Sequence, residues 1–117
     1  MARLAERTCV PCKGGVPPLT PEQTRPLLAQ LDGWKVVDNH HLEKRYDVAD
    51  FAQALDLVNR IGAIAEEQGH HPDLYLAWGR VEVKIWTHKI NGLTESDFIL
   101  AAKCDAAYVT FTGAATG

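Results

Sequence analysis

The chain lacks several features that would place it in a specialised class of protein. Its 117 residues include three cysteines, which are too few and too unevenly spaced for a disulfide framework. No apolar run approaches the roughly 20 residues that a membrane-spanning helix needs, and the first residues lack the apolar block of a signal peptide. The net charge of −3 provides no basic surface for nucleic acid. We therefore expect a cytoplasmic protein that engages neither a membrane nor nucleic acid.

The remaining composition is that of one folded domain. Hydrophobic residues make up 46% of the chain and charged residues 23%, and a chain of this length is usually a single domain. A domain of this size buries about two-thirds of the surface that its unfolded chain exposes, so it needs neither disulfides nor metal to fold. Gly-Gly and Pro-Pro pairs break regular structure near the N-terminus. We expect a flexible N-terminal arm over residues 1–19 and a single domain over residues 20–117.

Capping residues and turn signals predict the elements of the first half of the domain. A helix is expected over residues 20–31, with Thr20 opening a capping box, although Pro26 should make this helix start later or kink. Two strands, at residues 34–38 and 41–48, should follow as a hairpin.

The strongest helical pattern in the chain comes next. Residues 51–68 place apolar side chains at helical spacing on one predicted face, namely Phe51, Leu55, Val58, Ile61 or Gly62, and Ala65. Gly69 should then end this helix in the left-handed conformation.

A second hairpin and a last helix complete the predicted fold. Strands at residues 73–79 and 80–88 should turn around Gly79-Arg80, and the last helix should begin after the cap Thr94, with Asp97 at its third position. The predicted order is α-β-β-α-β-β-α. Because strands joined by short turns are antiparallel, we expect an α+β fold in which three helices cover one face of a four-stranded antiparallel sheet.

The sequence contains two histidine pairs in different settings. His40-His41 lies in the first hairpin between charged neighbours, and we expect it to be an exposed turn. His70-His71 directly follows a long helix, and Pro72 restricts the second of these histidines to an extended backbone. The second pair is therefore held between a helix end and a strand start.

A fifth histidine should lie close to the constrained pair. His88 ends the second strand of the hairpin, which returns beside the start of the first strand, next to His70 and His71. Glu66 lies one helical turn before the pair and Asp97 begins the last helix, so either carboxylate could set a histidine tautomer. These patterns support a three-histidine site and scattered surface histidines about equally.

Three imidazoles suit two kinds of chemistry. Histidine has an unperturbed pKa of about 6.5, so near neutral pH it can both donate and accept a proton. Elimination of water needs both acts, because the leaving hydroxyl is protonated while a neighbouring atom loses a proton. Three histidines can instead bind zinc and leave a fourth position for water.

Taken together, these residues resemble the signature of the pterin-4a-carbinolamine dehydratase family. The matching positions, in chain order, are Glu66, His70, His71, Pro72, Trp78, Thr87, His88, Gly92, Leu93, Thr94 and Asp97. The resemblance runs from about residue 33 to the last helix. The stretch from Cys9 to Cys12 is also similar to the N-terminus of some bacterial and plant members.

The resemblance implies a reaction and a set of site residues. The family dehydrates 4a-hydroxytetrahydropterin to quinonoid dihydropterin, which recycles the tetrahydrobiopterin-type cofactor of aromatic amino acid hydroxylases, and it uses no metal and no organic cofactor. The implied catalytic residues are His70, His71 and His88, supported by Glu66 and Asp97. The implied substrate-binding residues are Gly69, Pro72, Trp86, Thr87, Lys89 and Trp34. The resemblance also implies a homodimer or homotetramer.

Two positions depart from the family pattern. Many relatives carry an acid at the position of Gly69, and Trp86 is bulkier than the residue in some relatives, which could narrow the pocket. Two other interpretations stay open. One is a three-histidine zinc lyase or hydrolase, and the other is a non-catalytic oligomeric binding module, like the animal relatives that also partner a transcription factor.

The cysteines have simpler expected roles. Cys9 and Cys12 could form a redox pair or half of a zinc site, but redox pairs usually lie at a helix start and no helix is expected here. We therefore expect a reduced, flexible arm, with Cys104 as a small core residue of the last helix.

Overall fold

In the part of the chain that the structure describes, three α-helices and four strands follow one another in the predicted order. The computed structural model describes residues 4–9 and 17–112. Its elements are α1 (Pro21–Leu28), β1 (Lys35–Val37), β2 (His41–Asp47), α2 (Phe51–Gln68), β3 (Asp73–Ala77), β4 (Arg80–Ile85) and α3 (Glu95–Thr112). Short 3-10 turns lie at Leu4–Glu6 and His88–Ile90. No helix in these described ranges is long and apolar enough to cross a membrane.

The strands form one antiparallel sheet in the order β1-β2-β4-β3. Its two central strands bury one face through Leu42, Tyr46, Val81, Val83 and Ile85. The alternate positions face outward and pair opposite charges, as Glu43 does with Lys84. Helices α2 and α3 pack on the buried face, and α1 packs on α3. The predicted α+β architecture is therefore confirmed.

The buried face of α2 differs from the predicted one. Its buried positions are Ala54, Leu57, Ile61 and Ala65, whereas Phe51 and Leu55 are 47% and 44% exposed. The prediction is therefore wrong for these two residues. Ala54 is fully buried although its side chain is small, and a pattern based on bulky residues does not identify such a position.

Both hairpins close with short turns, of three residues in the first (38–40) and of two residues in the second. Asp38 and Asn39 have φ values of 53° and 52°, which is the type I′ geometry that Asp and Asn tolerate. The second turn is formed by Trp78 and Gly79, one residue earlier than the predicted Gly79-Arg80. Gly79 has a φ of 80°, and this left-handed conformation fixes the turn at that residue.

Helix α1 begins where the capping box predicts. The Gln23 N–H donates to Oγ1 of Thr20 at 3.3 Å, and the Thr20 N–H donates to Oε1 of Gln23 at 2.9 Å. Of the two alternatives for Pro26, a later start or a kink, the later start does not occur, because the helix starts at Pro21 and contains Pro26. It ends at Leu28, earlier than predicted, because the hydrogen bonds that follow are of the 3-10 type, from the Gln30 N–H to the Leu27 carbonyl oxygen and from the Leu31 N–H to the Leu28 carbonyl oxygen.

Residues 4–9 of the expected arm pack against α3 and the end of α2. Leu4 and Cys9 are buried in the core. The Lys103 ammonium donates to the Ala5 carbonyl oxygen at 2.8 Å, and the Cys9 N–H donates to Oε1 of Gln68 at 2.9 Å. This segment therefore contributes to the domain. Cys12 lies outside the described residues, so the structure does not test the expected roles of Cys9 and Cys12 as a pair.

Candidate active site

The end of α2 positions the histidine pair. Gly69 adopts the left-handed conformation, with φ 64° and ψ 28°, as predicted. Its N–H donates to the Glu66 carbonyl oxygen at 3.3 Å, and the His70 N–H donates to the Ala65 carbonyl oxygen at 3.2 Å. These two bonds form the Schellman motif that ends many helices. The backbone of His70 is thus fixed by the helix end.

A closed loop after β4 carries His88. The Thr87 N–H donates to the Gly92 carbonyl oxygen at 2.8 Å, and these two residues form an isolated bridge around the 3-10 turn. A Cβ atom at Gly92 would lie 2.6 Å from Cβ of Pro18, which is closer than such atoms approach. Glycine is therefore required where residues 17–19 cross this loop.

A buried carboxylate joins the two segments. Asp97 is fully buried, and its Oδ2 accepts the Thr94 N–H at 2.8 Å and the Thr87 hydroxyl at 2.9 Å. Its Oδ1 lies 2.5 Å from Nε2 of His70. The bond from Thr94 confirms the predicted start of α3, since an acid at the third helical position accepts a hydrogen bond from the backbone N–H of the N-cap residue.

These contacts define the tautomer of His70. Because two donors already bind the Asp97 carboxylate, it acts as an acceptor, and the proton between the two side chains belongs to Nε2 of His70. In the neutral ring Nδ1 then has the free lone pair and can accept a proton. The His70 ring is therefore oriented and ready to act as a base.

His71 has an acidic partner of a different kind. Its Nε2 lies 2.5 Å from Oε2 of Glu66, as the one-turn spacing predicts. Both side chains are exposed, by 59% and 79%. Water and salt screen an exposed pair, so its contribution to stability is small.

The three histidines share one cleft. It has a volume of about 200 Å³ and is lined by Gly69, His70, His71, Trp86, Thr87, His88 and Lys89. The His88 ring packs on the Trp86 ring, with centroids 4.4 Å apart. The hairpin argument therefore correctly places His88 beside the pair. The two expected supporting residues, Glu66 and Asp97, do not line the cleft but contact two of its histidines, His71 and His70 respectively.

Two expected substrate-binding residues do not line this cleft. Trp34 is buried elsewhere, where its Nε1–H donates to the two Asp105 carboxylate oxygens at 3.0 and 3.1 Å. The same carboxylate accepts the Tyr46 hydroxyl and the Lys44 ammonium. Pro72 follows the pair but is not part of the lining. The surroundings of Trp34 indicate a packing role.

The first histidine pair is not the simple exposed turn that the sequence suggests. His40 and His41 are partly buried, and their rings lie 5.2 and 6.0 Å from the Trp86 ring. The pKa of His41 is lowered mainly by burial and, to a smaller extent, by the neighbouring His40. The observed strand register explains this contact. Leu42 pairs with Ile85, so continuing the register places His41 opposite Trp86.

The metal-site interpretation gains no support from the side-chain geometry. Within residues 4–9 and 17–112, no group of three or more His, Cys, Asp or Glu side chains is arranged to hold a metal ion. In two of the histidines of the cleft, Nε2 contacts a carboxylate oxygen.

Fold and site together define an α+β domain with a histidine-lined cleft between a helix end and a strand end. The family model described as "Pterin 4 alpha carbinolamine dehydratase" matches residues 17–107, which include every residue that lines the cleft. The chain therefore belongs to this family.

Individual relatives align with this chain over nearly their own full length. A protein of Rubrobacter xylanophilus is 59% identical over 105 residues, which cover 90% of this chain and 98% of that protein. One of Rickettsia canadensis is 53% identical over 107 residues, covering 91% and 98%. Both carry the name "Putative pterin-4-alpha-carbinolamine dehydratase". A crystal structure from Brucella melitensis, described as a "transcriptional coactivator/pterin dehydratase", has a TM-score of 0.73 and 34% identity over 78% of this chain and 98% of its own.

Proposed function

We propose that the protein dehydrates 4a-hydroxytetrahydropterin to quinonoid dihydropterin by histidine acid/base catalysis. The observation that carries this proposal is the shared cleft of His70, His71 and His88, in which His70 is oriented by a buried carboxylate. Family membership supplies the substrate class. The reaction breaks the bond between C4a and its hydroxyl oxygen and removes one ring N–H proton, so water leaves and no oxidant is needed.

The geometry suggests how the proton transfers are divided. His70 takes the ring proton through Nδ1, because Asp97 occupies its Nε2 and stabilises the imidazolium that forms. His71 or His88, which are more exposed, donates a proton to the leaving hydroxyl as the ring nitrogen lone pairs expel it. The remaining histidine orients the pterin, together with Thr87, Trp86 and Lys89 at the cleft wall.

The biological setting follows from the reaction class. Dehydration of a 4a-carbinolamine regenerates a pterin that a reductase can return to the tetrahydro form, so the protein serves in recycling a tetrahydrobiopterin-type cofactor. The enzymes that form such a carbinolamine are aromatic amino acid hydroxylases. We further propose a cytoplasmic homodimer or homotetramer, with the pterin as its small-molecule partner and no tightly bound cofactor.

A second function is favoured by one comparison. The Brucella protein is described as both a coactivator and a dehydratase, so a binding role could coexist with catalysis here. Such a role would not need the three histidines. Variants of these residues should therefore abolish dehydration and leave any partner binding intact.

The direct test is the rate of carbinolamine dehydration by purified protein, before and after treatment with a strong chelator. We expect acceleration over the spontaneous reaction that is equal in both states. Acceleration that disappears with the chelator would support a zinc site instead. Arg45→Ala, on the outward face of the sheet, provides a control that should keep the full rate. No acceleration in any sample would contradict the proposal.

A further inference from the structure

A hydrogen bond links the first hairpin turn to the loop that carries His88. Nε2 of His40 lies 2.8 Å from Oδ1 of Asn91. These residues are far apart in the sequence but meet because β2 and β4 are neighbours in the sheet. Since Oδ1 is a carbonyl oxygen, His40 donates through Nε2–H. The tip of one hairpin thus contacts the end of the candidate catalytic loop.

The residue that accepts this bond has an unusual backbone conformation. Asn91 ends the 3-10 turn that begins at His88, and its φ is 52°. Asn tolerates the left-handed region better than most residues, but the conformation still carries a cost. An external contact to its side chain helps to hold this conformation, and with it the turn that positions His88.

A second contact runs through Trp86. Its ring centroid lies 5.2 Å from that of His40 and 4.4 Å from that of His88. His41 completes the group, with its Nδ1 3.0 Å from Nδ1 of His40. Because Nε2 of His40 is a donor, its neutral ring accepts at Nδ1, so His41 donates there. His40 is therefore fixed by partners at both nitrogens while it packs on the ring that supports His88.

We propose that His40 is a positioning residue for His88. It acts through the hydrogen bond to Asn91 and through the Trp86 ring, and it does not touch the substrate. The catalytic relevance of this role rests on the proposed dehydratase function, whereas the structural link itself does not. Catalysis depends steeply on the placement of acid and base groups, and a shift of about 1 Å can cost up to 10²-fold in rate.

Two variants of His40 separate the two contacts. His40→Phe keeps an aromatic ring against Trp86 but removes the donor, whereas His40→Gln keeps a donor of similar reach and removes the ring. Asn91→Gly removes the acceptor and allows the same positive φ. Asp38→Gly is the matched control, since Asp38 also has a positive φ of 53° and lies in the same hairpin turn as His40.

The first readout is the NMR shift of the carbon-bound ring protons of His88, which the Trp86 ring current displaces. We expect these shifts to move toward unstructured values in His40→Phe and in Asn91→Gly, with no further change in the double variant. His40→Gln should lie closer to the wild type, and Asp38→Gly should match it. Unchanged His88 shifts in both His40→Phe and Asn91→Gly would overturn the proposal.

The second readout is dehydration. We expect kcat to fall about 3- to 30-fold in His40→Phe, with a smaller change in KM. If the wild-type protein does not accelerate the reaction, the proposed function fails and the NMR comparison still decides the positioning role. If the wild type is active and both His40 variants keep its kcat and its His88 shifts, the positioning role fails alone.

Discussion

His70 and Asp97 lie 27 positions apart in the chain, yet Nε2 of His70 is 2.5 Å from Oδ1 of Asp97. His71 and Glu66 have the same separation between ring nitrogen and carboxylate oxygen. The two pairs differ in exposure, at 14% and 0% for the first and 59% and 79% for the second. Low local dielectric strengthens the buried pair and water screens the exposed one. Although the two distances are equal, substitution should therefore have a larger effect in the buried pair than in the exposed pair.

Asp97→Asn tests the buried pair. The amide keeps the shape of the carboxylate, but its NH2 group would face a nitrogen of His70 that is also a donor, which favours the wrong tautomer of the ring. We expect kcat to fall about 10- to 100-fold, which is typical when a residue that orients a functional histidine is replaced. Loss of the charged hydrogen bonds should lower the free energy of unfolding by about 1–3 kcal/mol. An Asn variant with wild-type kcat would show that the tautomer of His70 is unimportant.

Glu66→Gln tests the exposed pair. Because the His71 contact is screened by solvent, we expect the free energy of unfolding to change by less than about 1 kcal/mol. The rate of dehydration should also change far less than in Asp97→Asn, and denaturant titration beside the same rate assay checks both. A loss as large as that of Asp97→Asn would mean that Glu66 takes part in the reaction.

Gly92→Ala tests the crossing of residues 17–19 over the loop that carries His88. The new methyl group would meet Pro18, and relieving that overlap should cost about 1–3 kcal/mol of stability. Gly62→Ala is the matched control, since a Cβ atom there meets nothing within 4 Å. It lies within α2 and should stabilise the protein by about 0.5–1 kcal/mol. Thermal unfolding of both variants measures the difference, and equal effects would contradict the close approach.

The cysteine thiols provide a test of the N-terminal packing. Burial raises the pKa of Cys9 and of Cys104, so less thiolate is present near neutral pH and both should react slowly with iodoacetamide in the native protein. Both should react quickly after unfolding, as mass spectrometry of the alkylated peptides would show. Rapid native alkylation of Cys9 would contradict the packing of residues 4–9 against α3.

Local chemistry made several site features predictable from the sequence. Gly69 ends α2 and Thr94 begins α3 because glycine and capping side chains act within one turn of the backbone. Strand pairing in the second hairpin then places His88 beside His70, since a two-residue turn leaves little freedom in register.

Features that depend on distant contacts could not be predicted in this way. Ala54 is buried in the core, which the periodicity of the bulky residues in α2 does not reveal. The contact between His41 and Trp86 requires the pairing of β2 with β4, which are not consecutive in the chain. Cys9 is held by Gln68, 59 positions away. Such contacts are set by tertiary packing and leave no local pattern.

The central claim is that three imidazoles in one cleft catalyse the dehydration. Its most direct test compares the rate constants of wild-type protein with those of His70→Ala, His71→Ala and His88→Ala, with thermal unfolding measured for each. We predict that each variant remains folded and loses about 10²- to 10⁴-fold in rate, the usual contribution of general acid/base catalysis. A folded variant that keeps the wild-type rate would contradict the role assigned to that histidine, and full activity in all three would contradict the account itself.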